Sequence, residues 1–168
     1  MTTSKKLSSK NSRIPHVSAW VIGIVSLIGF SDATFLAIKY LQGSVPPCHI
    51  GVGCDIVTRS SYAAIGPIPV ALLGSLYYLL MGILAVAYLD TKKEALLQYA
   101  GRLSVVGVLA SAYFVFLQIF VLKAICIYCM ASATTSTVLF IVGMWYLGVR
   151  KKREDSVQAQ DLLHRELD

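Results

Sequence analysis

The sequence predicts an all-α integral membrane protein: a four-transmembrane-helix bundle with an outer-face loop and a short half-helix lid between spans one and two. Three observations carry this. Of 168 residues, 56% are hydrophobic and only 14% charged, where a soluble domain carries about 25% charge. The mean hydropathy is +0.67. Four apolar runs, at about 17–38, 68–89, 103–122 and 125–149, each reach the roughly 20 residues a helix needs to cross a hydrocarbon core about 30 Å thick. The connections are short except between the first two runs. One domain over 16–150 accounts for nearly everything, flanked by tails at 1–15 and 151–168.

Residues 1–15 are polar and basic, and are expected to be disordered. The first run is too long for a signal peptide's apolar region and is followed by Lys39-Tyr40 rather than a small-residue cleavage site, so it reads as a retained helix. Asp32 lies inside this span, toward its outer end. An acid within a membrane span is a functional candidate; the plainer role is a hydrated, paired or capping carboxylate near the interface.

Basic residues fix the orientation. Lys5, Lys6, Lys10 and Arg13 precede span one, Lys92, Lys93 and Arg102 lie between spans two and three, and Arg150, Lys151, Lys152 and Arg153 follow span four. The other side holds only Lys39, Arg59 and Lys123. This is the positive-inside distribution, with both termini cytoplasmic. It accounts for the net charge of +6 and excludes a nucleic-acid face. All four cysteines then fall at the outer face, where disulfides persist.

The outer loop, 41–67, contains Cys48 and Cys54. Pro46-Pro47 forces extended backbone before Cys48, and Gly51 and Gly53 leave the segment between the cysteines flexible. Asp55 is expected to cap a short helix through about Ala64, with Ile56, Val57 and Tyr62 offering apolar contacts. Gly66-Pro67-Ile68-Pro69 ends it and starts span two, proline suiting a first helical turn. Gly74, Tyr78 and Gly82 share one face of span two. Gly107 and Ser111 on span three, and Ser132 and Ser136 on span four, likewise suit close helix approach. Tyr113, Phe114, Phe116, Phe120 and Tyr128 gather in the outer half; most are expected to face lipid or the interface, a few a pocket. The turn between spans three and four is tight. The tail after 150 either lies on the cytoplasmic leaflet or is disordered.

Cys126-Ile127-Tyr128-Cys129 opens span four. Cysteines three apart on a helix share a face, with Cβ atoms about 5–6 Å apart, within reach of a disulfide. A thiolate in the first turn is stabilised by unpaired N–H groups and the helix dipole, which favours a redox pair over a permanently closed bridge. A side chain this shallow can meet a hydrophobic acceptor in the bilayer. The loop pair faces water, and thiol–disulfide exchange can connect the two pairs. Two other readings stay open: a structural 48–54 bridge with two packed thiols, and a four-cysteine metal site, with or without His49, as in a metal carrier. The redox reading needs no metal.

Taken together, Cys48-x5-Cys54-Asp55, Ser60, Tyr62, Gly66-Pro67-Ile68-Pro69, Leu73-Gly74, Tyr77-Tyr78 and the final Cys126-Ile127-Tyr128-Cys129 resemble the vitamin K epoxide reductase family in its bacterial branch, without a fused thioredoxin-like domain. The resemblance covers about residues 15–150. It implies a four-helix bundle around a quinone, ubiquinone or menaquinone, with residues 54–65 as a half-helix lid. It further implies a quinone-linked thiol–disulfide oxidoreductase of the bacterial inner membrane that generates disulfides. Electrons would pass from a separate periplasmic or extracellular thioredoxin-fold (DsbA-like) partner to Cys48/Cys54, then to Cys126/Cys129, then to the membrane quinone pool. Cys48 would meet the partner, Cys54 would hand on to Cys126, Cys129 would face the quinone, and Ser60 would help hold lid and site. The animal branch has an asparagine near the start of span two and a tyrosine four residues after CxxC; here those positions are Val70 and Ala133, so the resemblance does not by itself imply vitamin K epoxide reduction or animal-type anticoagulant sensitivity.

Overall fold

A computed structural model describes residues 3–44 and 53–167. The chain is a bundle of four long helices: α1 (Thr3–Leu41), α3 (Val70–Thr91), α4 (Glu94–Phe116) and α5 (Ile127–Leu167). Between α1 and α3 lie a short helix, α2 (Cys54–Arg59), and a two-stranded antiparallel hairpin, β1 (Ala64–Ile65) and β2 (Ile68–Pro69). All four long helices contain a segment long and apolar enough to span a membrane. Their outward faces carry Trp20, Leu27, Ile83, Val86, Leu109 and Ile141, all exposed. An apolar exterior around a small-residue interior is the pattern of a bundle solvated by lipid.

Small side chains set how closely the helices approach. α1 packs chiefly on α3, and α4 on α5. A Cβ on Gly74 would sit 3.7 Å from that of Ala33, and one on Gly82 3.8 Å from that of Ser26, so the α3 face predicted for close packing meets α1. Gly101 and Gly143 put α4 and α5 almost backbone to backbone: a Cβ on Gly143 would lie 2.9 Å from the Gly101 Cα. Around these contacts Ile22, Tyr78, Met81, Leu97 and Leu139 form the buried core.

Several elements differ from expectation. α1 starts at Thr3, within the segment expected to be a disordered tail; its lysines are good helix formers and a nucleated helix propagates cheaply. α5 continues to Leu167 rather than stopping near 149. At 41 residues it is about 60 Å long, twice a hydrocarbon core. Arg150 pairs with Glu154 one turn on at 2.7 Å, and Arg150 and Arg153 both reach Glu94 at 3.6 Å, which ties this extension to the first turn of α4. α4 itself begins at Glu94, nine residues before the run expected at 103–122. α3 begins at Val70 rather than 68, because the prolines belong to the hairpin. Gly66, at φ +62°, leads its two-residue turn, the position where such turns require glycine. α2 ends at Arg59, short of Ala64, and Asp55 lies inside it rather than capping it.

Candidate functional site

The connection from α4 to α5 builds the cysteine site. α4 passes into one π-helical turn, Leu117–Val121, closed by the Leu122 N–H on the Leu117 carbonyl at 2.8 Å. Such turns displace one residue from the helical ladder and recur at functional sites. The displaced group here is Gln118, which is buried. Its carbonyl accepts the Ala124 N–H at 3.0 Å, its side-chain Oε1 accepts the Cys126 N–H at 2.8 Å, and its Nε2 donates to the Phe114 carbonyl at 3.4 Å. Lys123 makes the turn at φ +48°. Gln118 therefore fixes the backbone on which Cys126 sits.

Cys126 immediately precedes α5 and is 0% exposed. Its sulfur accepts hydrogen bonds from the Cys129 thiol and from the backbone N–H groups of Cys129 and Tyr128. The thiolate thus takes the place of the oxygen that usually caps a helix start. The Cys129 thiol is the largest influence and the amides add to it. Burial and the charge of Asp32 oppose them, and the net effect lowers the Cys126 thiol from 9.0 to about 7. Cys126 and Cys129 are both free thiols.

Gly53 brings the loop onto this site. A Cβ there would lie 2.7 Å from both the backbone N and O of Ile125, so only glycine allows the approach. Cys54 and Cys126, the residues that follow the two contacting positions, are both buried. Cys54 is disulfide-bonded. Cys48 and His49 lie outside the described residues. α2 is held internally, with Thr58 Oγ1 donating to the Cys54 carbonyl at 2.6 Å and Ser60 Oγ to the Val57 carbonyl at 2.8 Å.

Beneath α2 and the hairpin lies a cavity of about 420 Å³ that runs into the bundle. That is the size of many small-molecule sites. Cys129 and Ser60 are on its wall, with Leu73, Phe114 and Leu117; Cys126 is not. Phe114 is the one member of the outer aromatic group on the wall, while Phe116 and Phe120 stack on each other at 4.8 Å and face outward. Val70 and Ala133 line the cavity as well, so those two positions offer no hydrogen-bond donor. Two polar atoms on the wall, Tyr77 Oη and Asp32 Oδ2, are buried without a partner. Among the described residues no Lys, Arg or His lines the cavity.

Tyr78 ties this wall to α5. Its hydroxyl meets the Ser132 carbonyl at 2.7 Å, Thr135 Oγ1 at 2.7 Å and Ser136 Oγ at 2.9 Å, while its ring packs on Gly29. Sequence reasoning singled out Tyr78, Ser132 and Ser136 as packing residues but not as one polar knot. It passed over Gln118, although a glutamine within an apolar span is itself a signal. It read Gly53 as a source of flexibility, whereas Gly53 is a contact point.

A four-cysteine metal centre needs four thiolates, and the disulfide at Cys54 takes two cysteines out of that set. Among the described residues no group of three or more Cys, His, Asp or Glu converges on a common point.

No curated protein matches the chain in sequence. Residues 20–144, most of the chain, match the vitamin K epoxide reductase family. The matched stretch contains the four spanning segments' apolar cores, the lid, Cys48, Cys54 and the Cys126/Cys129 pair. With the free Cys129 thiol on the wall of an apolar cavity and the buried Cys126 thiol hydrogen-bonded to it, in a four-helix membrane bundle, the chain is an oxidoreductase and belongs to the vitamin K epoxide reductase family.

Proposed function

We propose that this chain is a quinone-linked thiol oxidase that generates disulfides, drawing electrons from a separate thioredoxin-fold partner. The observation that carries this is the division of labour between two adjacent thiols. Cys129 opens on the apolar cavity, while Cys126 is sealed against the segment that bears Cys54. One thiol is placed for a lipid-soluble acceptor and the other for exchange with the loop.

The cavity fits a quinone headgroup in size and in apolar lining. A quinone presents two carbonyl acceptors, and the unpartnered Tyr77 Oη is a donor for one of them. Tyr77 and Ser60 would hold the ring beside Cys129. When bound, a quinone would supply the acceptor for the dithiol's two electrons, taken up together with two protons.

The rest follows from the chain's own residues. The partner exchanges with Cys48/Cys54, and the reduced loop pair attacks the Cys126–Cys129 disulfide at Cys126, which follows Ile125 where Gly53 meets it just before Cys54. Cys126 is the better leaving thiol because its pKa is lowered. Gly53 and Gln118 hold the two sides of that exchange in register. Ser60 closes the C-terminal end of α2 over the cavity and keeps water from Cys129. In the bacterial inner membrane, with the basic termini in the cytoplasm, this site faces the compartment where disulfides are made.

Membrane vesicles supplied with a quinone and a reduced thioredoxin-fold protein test the reading. Cys129→Ala is expected to abolish quinone reduction while the protein stays folded. Persistent turnover in that variant would refute the role given to Cys129.

A further inference from the structure

Among the described residues Asp32 is the only carboxyl on the cavity wall. Its depth is set by its neighbours on α1. Thr34 Oγ1 meets Ser75 Oγ at 3.2 Å, and Gly29 backs the ring of Tyr78, so Asp32 lies level with the Ser75–Tyr78 turn of α3. Cys129 stands one turn, about 5 Å, beyond Ser132, whose carbonyl meets the Tyr78 hydroxyl. The carboxyl and the thiol therefore share a wall at nearly one depth. Asp32 is also close enough to Cys126 for its charge to oppose the thiolate.

A purely structural carboxyl in an apolar wall would be expected to have partners, because an unsatisfied one is costly. Among the described residues Asp32 Oδ2 has none, and no cation lines the cavity. Dithiol oxidation by a quinone needs a group here that takes a proton and gives it back.

We propose that Asp32 is the proton carrier between the Cys126/Cys129 dithiol and the quinone, a role that rests on the quinone-linked reading above. As the Cys126–Cys129 S–S bond forms, the Cys129 S–H bond breaks and its proton passes to the Asp32 carboxylate. The two electrons released by S–S formation reduce the quinone, and Asp32 hands its proton to one quinone oxygen. The proton of Cys126 is lost to water on thiolate formation, and one from water completes the second hydroxyl. Two S–H bonds are exchanged for one S–S bond and two O–H bonds, with no net change in protons.

Asp32→Asn and Asp32→Glu in nanodiscs test this, with Cys129→Ala as the control. Asp32→Asn is expected to lower quinone-linked turnover by about 100-fold, the scale of a lost acid–base group. Asp32→Glu is expected to recover to within about 10-fold of the parent. A second readout needs no quinone: infrared difference spectra between dithiol and diamide-oxidised protein. The parent is expected to show a carboxyl C=O band that responds to oxidation, shifted in Asp32→Glu and missing in Asp32→Asn. Thiol titre and unfolding midpoint report folding. If Asp32→Asn does not fold, the Asp32→Glu band decides the matter, an unshifted band overturning the proposal. Turnover of Asp32→Asn within about threefold of the parent, or an oxidation spectrum without an Asp32 band, overturns it as well. In either case quinone reduction by the parent leaves the oxidase reading standing. A parent that shows the band but reduces no quinone refutes the oxidase reading, and with it the quinone as the acceptor of the Asp32 proton, while proton exchange between the dithiol and Asp32 stands.

Discussion

Removing the Cys129 thiol should return Cys126 to an ordinary cysteine. Cys126 titrates at about 7 rather than 9.0, and the Cys129 hydrogen bond is the largest cause. At pH 7 about half of Cys126 is thiolate, against about 1% for a thiol that titrates at 9.0. In Cys129→Ala the amides of residues 128 and 129 remain, but burial and Asp32 still oppose them. The midpoint is expected to rise to about 9, and the thiolate available at pH 7 to fall by about 50-fold. Cys129→Ser keeps a hydroxyl donor in the same place and should hold the midpoint within about one unit of the parent.

The sign of the pH dependence follows. Folding lowers the pKa, so the thiolate grows as pH rises toward 7 and is nearly complete above 8, and it falls about tenfold per unit below 6. In the reduced protein the matching stabilisation is fully present above 9.0 and is lost as pH falls through about 7. Cys126 is 0% exposed, so alkylation rates would report opening of the site rather than its charge. Ultraviolet thiolate absorbance is the better assay, with Cys48 and Cys54 changed to serine so that only the α5 pair titrates. A Cys129→Ala midpoint still within about half a unit of 7 would show that the helix amides set the charge, and the hydrogen-bond account would fail.

Gln118→Leu leaves the buried Cys126 N–H without its acceptor and should cost about 1–3 kcal/mol in denaturant unfolding; Gln118→Glu should restore the stability but raise the Cys126 midpoint by adding a negative charge. Gly53→Ala drives a Cβ into the Ile125 backbone, and neither segment can yield as a side-chain tip would. It is expected to lift α2 and make Cys126 open to alkylation, and an unchanged alkylation rate would contradict the docking. The two adjacent tyrosines should separate cleanly. Tyr78→Phe strips the hydroxyl from three α5 partners and should destabilise by about 1–3 kcal/mol, whereas Tyr77→Phe removes a hydroxyl that has no partner and should leave stability unchanged while raising the quinone KM about 10-fold.

The parts of this fold that were legible are those fixed by averages over many residues. Four apolar runs give four spans because the bilayer sets a length and every backbone group must be paired within a helix. The nearness of Cys126 and Cys129 was legible because only two residues separate them, although Cys126 precedes α5 and stands off the cavity wall that Cys129 lines. What stayed hidden depends on single contacts between distant segments. Gly53 sits near Gly51 in a loop and looks like a joint; its meaning comes from Ile125, seventy-two positions away. Gln118 disappears into the hydropathy of its span, yet it holds the backbone of Cys126.

The same contacts explain why α2 starts where it does. Asp55 is a good capping residue by type, and the expectation that it would cap was reasonable from local chemistry. The Gly53–Ile125 approach leaves no room for a capping side chain at the helix start. The helix therefore begins at Cys54 on an uncapped glycine, and the cap's contribution is given up for proximity to Cys126. A chain selected for lid stability alone would place Ser, Thr or Asp at position 53. That this one has glycine there, hard against the residue before the buried thiol, ties the local exception to the chemistry: where the two segments must touch, contact outranks capping.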